Sequence, residues 1–353
     1  MKIGIIGGGQ LGLMIAEAAI NLNHDVVGLD PNEQCSLSRV APIIKAQFND
    51  KNALNQLAEL CDVITYEFEN VDLDLVNHYT NKIPQKAKAL EVSRHRMTEK
   101  LFAASCNIPI PNVKLYKSKD DLSIPCIIKT ITGGYDGKGQ YHIKNHQDIE
   151  LFTPEKNTEY IVEEYISFDY EISCIITRDR FGNCEAQPIP VNTHKNGILF
   201  LSDLTSNIPD SIQERAIKYA KSIVDQLDYI GTLTVEYFVK NDEIIFNEFA
   251  PRPHNSGHYS IEGSTVSQYT NHILAITGEP IKKPSLKQHT VMLNLIGNSS
   301  SIINRFQPLD NVFVHDYHKQ EIKEGRKMGH ITITDSNIIA LKKSLLQILE
   351  AIK

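Results

Sequence analysis

The opening of the chain limits its fold most. An apolar run, Lys2–Ile6, passes at once into Gly7-Gly8-Gly9-Gln10-Leu11-Gly12, then into a helical stretch over residues 11–21 and a second apolar run over 26–30. Two strands running the same way need a crossover between them, so this order predicts a βαβ unit. The alternation continues with a helical stretch at 52–61, an apolar run at 63–66 and a further helix at 72–79. Residues 1–93 are therefore expected to form a small parallel α/β domain. The glycines satisfy G-x-G-x-x-G, and Asp30 ends the next strand. Such a turn leaves helix amides free to hold an anion. A dinucleotide enzyme, a βαβ unit that uses glycine for close packing, and a site for another phosphate all satisfy the pattern.

At 353 residues the chain is too long for one core, and two or three domains in series are expected. Its net charge of -7 and the lack of a dense Lys/Arg run leave no basic footprint for nucleic acid. No apolar stretch approaches the roughly 20 residues of a membrane span, and no signal-peptide pattern precedes the first strand. A soluble, cytosolic chain is expected. The six cysteines show no C-x-x-C spacing and read as reduced core thiols. The scattered histidines, His142 and His146 among them, lack metal spacing.

A charged helix over 92–106 runs into Asn107-Ile108-Pro109-Ile110-Pro111-Asn112, whose prolines mark a boundary. Residues 94–168 then read as a small α+β module, with strands at 127–130, 140–143 and 160–166 around one helix. From 169 onward come strands at 171–177, 186–190 and 198–201, a helix at 211–227, a hairpin, and a helix at 266–277. Residues 289–353 read as a terminal subdomain with strands at 290–296, 312–315 and 330–334 and an amphipathic last helix.

Two places in this layout carry chemistry. Lys129 ends a strand and is followed by Thr132-Gly133-Gly134-Tyr135-Asp136-Gly137-Lys138-Gly139-Gln140, four glycines in nine residues. A strand-end lysine can pair with nucleotide phosphates while loop amides fold over them. The loop lacks the Gly-Lys-Ser/Thr of a Walker loop, and no kinase motif follows it.

The second place is the hairpin whose apolar arms flank Lys240-Asn241-Asp242-Glu243 and whose far arm runs into Asn247-Glu248-Phe249-Ala250-Pro251-Arg252-Pro253-His254-Asn255-Ser256-Gly257-His258. A three-residue loop sets Glu236 opposite Glu248, whereas a two-residue loop sets it opposite Asn247. In the first register two like charges face each other, which destabilises a sheet unless a cation lies between them. Two carboxylates and an amide oxygen suit Mg²⁺, which keeps waters and shares its shell with phosphates.

The lysine strand, the glycine lid, Glu163-Glu164-Tyr165-Ile166, Glu171 and the acidic strand pair ending in Asn247-Glu248 together resemble the ATP-grasp superfamily. Within it, the chain is similar nearly end to end to the ATP-dependent carboxylases of purine biosynthesis. The markers are Gly7 to Gly12, Glu67-Phe68-Glu69-Asn70-Val71, Gly133 to Gln140, Asn247 to His258, and Gly325-Arg326-Lys327-Met328-Gly329-His330. The resemblance implies an α/β and α+β ATP-grasp fold: a Rossmann-like, biotin carboxylase-like domain over 1–93, a lid domain over 94–168 and a C-terminal ATP-grasp domain over 169–353. It also implies a cytoplasmic homodimeric ligase that uses ATP, Mg²⁺ and bicarbonate.

The same resemblance assigns roles by position. Arg96 and Lys129 would contact ATP phosphates under the loop Gly134, Tyr135, Asp136, Gly137, Lys138, Gly139 and Gln140. Glu163, Glu164, Tyr165 and Ile166 would form the adenine hinge. Glu171 would hold the ribose with His194 nearby, and Glu236, Asn247 and Glu248 would bind Mg²⁺. Gly9, Gln10, Leu11 and Glu67 would bind the aminoimidazole ribonucleotide. Arg252, His254, Asn255 and Ser256 would line the carboxyphosphate and acceptor pocket, joined by Tyr135, Asp136, Lys138, Arg326 and Lys327. Lys319 matches a phosphate-binding position that usually follows Tyr-Gly, although Tyr317-His318 precedes it here.

The implied reaction is bicarbonate attack on the γ-phosphate of ATP, giving carboxyphosphate, followed by carboxylation of aminoimidazole ribonucleotide. Arg252 can fork onto a carboxylate or phosphate, Lys327 can neutralise the leaving phosphate, and Asp136 can accept or relay the amine proton. A closed lid would keep water from the intermediate. The competing readings are a formate-dependent glycinamide ribonucleotide transformylase, a Rossmann oxidoreductase and a non-catalytic nucleotide-binding regulator. The oxidoreductase leaves Lys129 and the acid pair unexplained.

Overall fold

The structure, a computed structural model, describes residues 1–134, 139–302 and 310–352. Tyr135, Asp136, Gly137 and Lys138 lie outside the described residues. The N-terminal alternation folds as a parallel sheet of β1 (Lys2–Ile6), β2 (Asp25–Asp30), β3 (Ile43–Lys45) and β4 (Val63–Tyr66), in the order β3-β2-β1-β4. Its two faces are covered by different helices. Ile3 and Ile5 pack with Met14, Ile15 and Ala19 of the helix Gln10–Asn21. Ile6 and Ile64 pack with Leu54 and Leu57 of the helix Lys51–Leu60. Asp50 caps the latter by accepting from the Asn52 and Ala53 amides.

The helix expected over 92–106 is two helices, Ala87–Ser93 and Arg96–Ser105. His95, in extended conformation, breaks the run and caps the second helix by accepting from the Thr98 amide. The Arg94 guanidinium donates to the Glu69 and Val71 carbonyls. This restart places Arg96, Glu99 and Lys100 in the first turns of a helix whose buried face includes all three.

The lid sheet is antiparallel: β5 (Val113–Leu115), β6 (Cys126–Thr130), β7 (Gln140–Ile143) and β8 (Tyr160–Glu164), ordered β5-β8-β6-β7. Ile128, Ile143, Phe152, Tyr160 and Val162 close its small core.

The third sheet holds β9 (Tyr170–Arg178), β10 (Cys184–Ala186), β11 (Val191–Lys195), β12 (Ile198–Asp203), β13 (Gly231–Lys240), β14 (Glu243–Ala250), β15 (His289–Ile296), β16 (Val312–Asp316) and β17 (Lys327–Asp335). Its path is β14-β13-β9-β11-β12-β15-β17-β16, with β10 paired to β9. Residues 289–353 thus extend the sheet that bears the acidic hairpin, because β12 pairs with β15. They keep a core of their own, in which Leu293, Ile331 and Leu341 pack together. The strand expected over 186–190 ends at Ala186, and Val191–Lys195 forms a strand that the pattern did not announce.

The hairpin resolves its two registers in an unexpected way. Its loop is the two-residue one, Asn241-Asp242, both left-handed with φ of 50° and 60°, and Lys240 pairs with Glu243. That loop alone would set Glu236 opposite Asn247. A β-bulge between Glu236 and Tyr237 absorbs one residue of β14, so Glu236 faces Glu248.

Candidate active site

The bulge fixes the electrostatics of the cleft. Glu236 and Glu248 line a cavity of about 660 Å³ together with Gln10, Leu11, Glu67, Arg96, Glu99, Arg252, His254, Asn255 and Lys327. Burial first, and then the charge of Glu248, pushes the Glu236 carboxyl up to about 7. Glu248 meets one cation at its edge, Arg96 Nη1, at 3.4 Å from Oε2. Among the described residues no three His, Cys, Asp or Glu converge as a metal site. The two facing carboxylates still fit a hard cation that completes its shell with water and phosphate.

A second buried acid lies in the opposite electrostatic state. Glu163 on β8 accepts from Lys129 Nζ at 2.7 Å, and Lys100 Nζ lies 3.5 Å from its other oxygen. Burial raises its pKa, but the two lysines outweigh burial and bring it down to about 2. Lys100 is 1% exposed and also donates to the Asn247 carbonyl at 2.5 Å. It therefore ties β8 to the bulge of the acidic hairpin. The sequence reading missed Lys100, whose signal was its position four residues after Arg96 on one helix face. It also missed Glu99, which accepts the Phe249 amide at 2.8 Å and is raised to about 8 by burial and then by Glu248.

Arg96 sits at the root of the second glycine loop. Its Nε donates to the Thr130 carbonyl at 3.0 Å, and its Nη2 donates to the Gly133 and Gly134 carbonyls at 3.3 and 3.1 Å. At the loop's far end the Gly139 carbonyl accepts the Thr130 amide at 2.9 Å, and Gln140 opens β7 opposite Lys129. Of the residues expected to form the adenine hinge, Glu164 and Tyr165 are exposed and Ile166 is buried. Glu164 accepts from Asn112 Nδ2 at 2.7 Å. Glu171 and His194 come together, with His194 Nδ1 2.7 Å from Glu171 Oε2. Burial lowers the His194 pKa, yet this contact and the charge of Glu236 raise it overall.

The first glycine loop has its anion already. Glu67 accepts the Gly9 amide at 2.5 Å and the Gly12 amide at 2.6 Å. Asp30 accepts the Gly8 amide at 2.8 Å and the Asn32 amide at 2.8 Å. A Cβ at Gly9 would lie 2.5 Å from Glu67 Oε1, so a larger residue there would displace the carboxylate. A dinucleotide pyrophosphate and its ribose would need the groups that Glu67 and Asp30 hold, and this removes the support for the oxidoreductase reading. Gln10 and Leu11 line the cleft beside this closed turn.

Beyond β14, Arg252 Nη2 pairs with Glu69 at 2.8 Å. Burial opposes its charge, and Glu69 followed by Glu67 and Glu248 outweigh burial and raise its pKa. His254 lines the cleft with Nε2 3.7 Å from Glu236 Oε1, and burial followed by Arg252 and Lys327 holds its pKa well below the usual range. Asn255 exchanges amide hydrogen bonds with Asn294. Ser256 is fully buried behind His254 and does not line the cleft. Lys327, the first residue of β17, lines the cleft. Lys319 and Arg326 do not: Lys319 Nζ donates to the Lys327 carbonyl at 2.7 Å and Arg326 Nη1 to the Glu321 carbonyl at 2.9 Å.

Known domain families match the chain in order. The ribonucleotide synthetase preATP-grasp domain matches residues 1–94, the ATP-grasp domain 101–269, and the phosphoribosylaminoimidazole carboxylase C-terminal domain 290–344. A curated N5-carboxyaminoimidazole ribonucleotide synthase from Staphylococcus aureus strain COL is 39% identical over 350 residues, covering 95% of this chain and 93% of its own. A crystal structure of the Staphylococcus aureus synthetase complexed with ADP superposes with a TM-score of 0.90 at 37% identity, covering 98% of this chain and 96% of that one. An Aspergillus clavatus synthase structure in complex with ADP and 5-aminoimidazole ribonucleotide gives 0.89 at 27%, covering 99% and 98%. The ATP-grasp match spans the lid sheet, the buried Lys129–Glu163 pair and the acidic hairpin, and the chain is an ATP-grasp enzyme, an ATP-dependent ligase. More narrowly, the chain belongs to the N5-carboxyaminoimidazole ribonucleotide synthase family.

Proposed function

We propose that the chain carboxylates 5-aminoimidazole ribonucleotide to N5-carboxyaminoimidazole ribonucleotide, consuming ATP and bicarbonate and releasing ADP and phosphate through carboxyphosphate, in de novo purine biosynthesis. The observation that carries this reading is one cleft holding the facing acids Glu236 and Glu248 together with Arg252, His254 and Lys327. Anion-activating and anion-binding groups thus share one chamber. The names of the Staphylococcus aureus and Aspergillus clavatus relatives support the substrate assignment.

Arg96 and Lys129 would hold the nucleotide phosphates, and Glu236, Asn247 and Glu248 would hold Mg²⁺. The elevated Glu236 carboxyl fits a site that gains a cation on loading. When bound, the ion supplies charge neutralisation for the transferring phosphoryl group. Arg252, kept cationic by Glu69, would orient bicarbonate and its phosphorylated form through its fork. Lys327 would neutralise the departing phosphate, and Glu67 with the glycine turn would orient the acceptor. Asp136 is the proposed proton acceptor from the amine. No helix among the described residues is long and apolar enough to cross a membrane. A cytoplasmic homodimer is proposed on the family's pattern.

Phosphate release from MgATP tests the reading. Stimulation is expected with aminoimidazole ribonucleotide plus bicarbonate. Stimulation only by glycinamide ribonucleotide plus formate would overturn it.

A further inference from the structure

Behind His254 runs a row of buried polar side chains to which the reaction assigns no part. Ser173 on β9, Asn192 on β11, Ser202 on β12 and Ser256 are each at most 5% exposed. Ser202 Oγ donates to Asn192 Oδ1 at 2.8 Å, and Asn192 Nδ2 donates to Ser173 Oγ at 3.0 Å. Ser173 Oγ donates in turn to Ser256 Oγ at 2.8 Å. The row ends at His254 Nδ1, which lies 2.9 Å from Ser256 Oγ and 3.3 Å from the Ser256 amide. Sheet register builds the row: Asn192 pairs with Ser202 across one ladder, and Ser173 pairs with Glu236 across another.

A backbone amide can only donate, so His254 Nδ1 must accept, and the ring proton of the neutral imidazole must sit on Nε2. The Ser256 hydroxyl, which accepts from Ser173, has its own proton left for the same nitrogen. Gln268 holds the backbone of His254 on both sides, accepting from its amide at 2.9 Å and donating to its carbonyl at 2.7 Å. The ring is thereby fixed in place and in tautomer, with Nε2 directed toward the end of the cleft that holds Glu236. Apolar side chains would fill these positions without the cost of satisfying buried polar atoms, so the row specifies an orientation.

We propose that Ser256, Ser173 and Asn192 are positioning residues that lock His254 as the Nε2–H tautomer, making it a hydrogen-bond donor to the reacting anion and not a general base. The identity of that anion, an oxygen of bicarbonate or carboxyphosphate, rests on the functional reading above; the tautomer does not. With Nδ1 committed to Ser256 and Nε2 carrying the proton, the ring has no free lone pair for the cleft.

Two measurements test this. In the full-length ¹⁵N-labelled protein without nucleotide, with His254 assigned by its loss in His254→Asn, the imidazole should show an unprotonated Nδ1 and a protonated Nε2. A protonated Nδ1, or a pair averaged between tautomers, would overturn the proposal even if every other variant failed to fold. In steady-state assays, Ser173→Ala should raise the bicarbonate KM about tenfold through loss of ring orientation and leave the ATP KM unchanged. Thr177→Val, which breaks the equally buried Thr177–Thr232 hydroxyl pair at 2.8 Å between β9, the strand of Ser173, and β13, should change neither. An equal rise in both variants, or none in Ser173→Ala, would refute the positioning role. If the unmodified protein shows no bicarbonate-stimulated turnover, the functional reading fails and the tautomer measurement alone decides the positioning.

Discussion

Glu163 and Glu236 are both carboxylates taken out of water within the same nucleotide-binding region, and their neighbours drive them in opposite directions. Glu163 sits between Lys129 and Lys100 and is brought down to about 2. Glu236 faces Glu248 across a bulge and is raised to about 7. The first acid has its counter-charge within the fold, so it serves architecture and presents Lys129. The second, on the proposed reading, is completed by a cation that arrives with the nucleotide. Two carboxylates, Glu163 buried and Glu236 partly buried, thus divide on the proposed reading into a structural ion cluster and a loading site, and the partner decides which.

If this contrast is right, removing a charge from the Glu236–Glu248 pair and from Glu163 has different results. Glu248→Gln should lower turnover roughly a thousandfold at limiting Mg²⁺, because several kcal/mol of charge neutralisation is lost, while thermal stability holds or rises. Near-normal turnover at limiting Mg²⁺ would break the assignment of the pair as a loading site. Glu163→Gln should instead destabilise the fold by about 3–5 kcal/mol in denaturant titration, since two lysine charges would remain buried without their acid. Retained stability would make the cluster dispensable.

The pH dependence separates the two acids further. The pKa of Glu163 is depressed from 4.5 to about 2 by folding, so its stabilisation is present above pH 4.5 and is lost as pH falls through about 2. A shift of that size corresponds to about 3 kcal/mol, reduced by the burial cost that lowers the Lys100 pKa. Acid unfolding of Glu163→Gln should lose this limb, which denaturation curves at stepped pH would reveal. Glu67 is a third case, an acid held by two amides. Glu67→Ala should cost about 1–3 kcal/mol of stability by leaving the Gly9 and Gly12 amides unpaired, and should raise the KM for the aminoimidazole ribonucleotide.

Much of this arrangement could be read from the chain. The βαβ opening was legible because a strand, a glycine turn and a helix each carry a local signature, and the turn residues Lys240 to Glu243 announced a hairpin while leaving its loop length open. The bulge at Asn247 was not, because it depends on how β14 meets β13 and the Lys100 ammonium below it, which no local pattern encodes. The pairing of Glu163 with Lys100 joins residues 63 positions apart and arises only when the helix Arg96–Ser105 docks against β8 and β14. Lys319 and Arg326 were placed by resemblance, and the turn before β17 directs their ammonium and guanidinium groups to backbone carbonyls. Ser256 was likewise placed in the pocket by resemblance, whereas its hydroxyl belongs to the polar row behind His254.

Calorimetric titration of Mg²⁺ into the ADP-bound protein, repeated in buffers of different ionisation enthalpy, bears most directly on the contrast between the two acids. Below about pH 7 Glu236 carries a proton in the metal-free protein. Beyond the proton displaced from the ADP terminal phosphate, binding should release about one further proton at pH values well below 7, this further release should fade as pH rises through about 7, and Glu236→Gln should abolish it. Tight binding with no further proton release at any pH, or the same further release in Glu236→Gln, would contradict the assignment of Glu236 and Glu248 as the acids that await the metal.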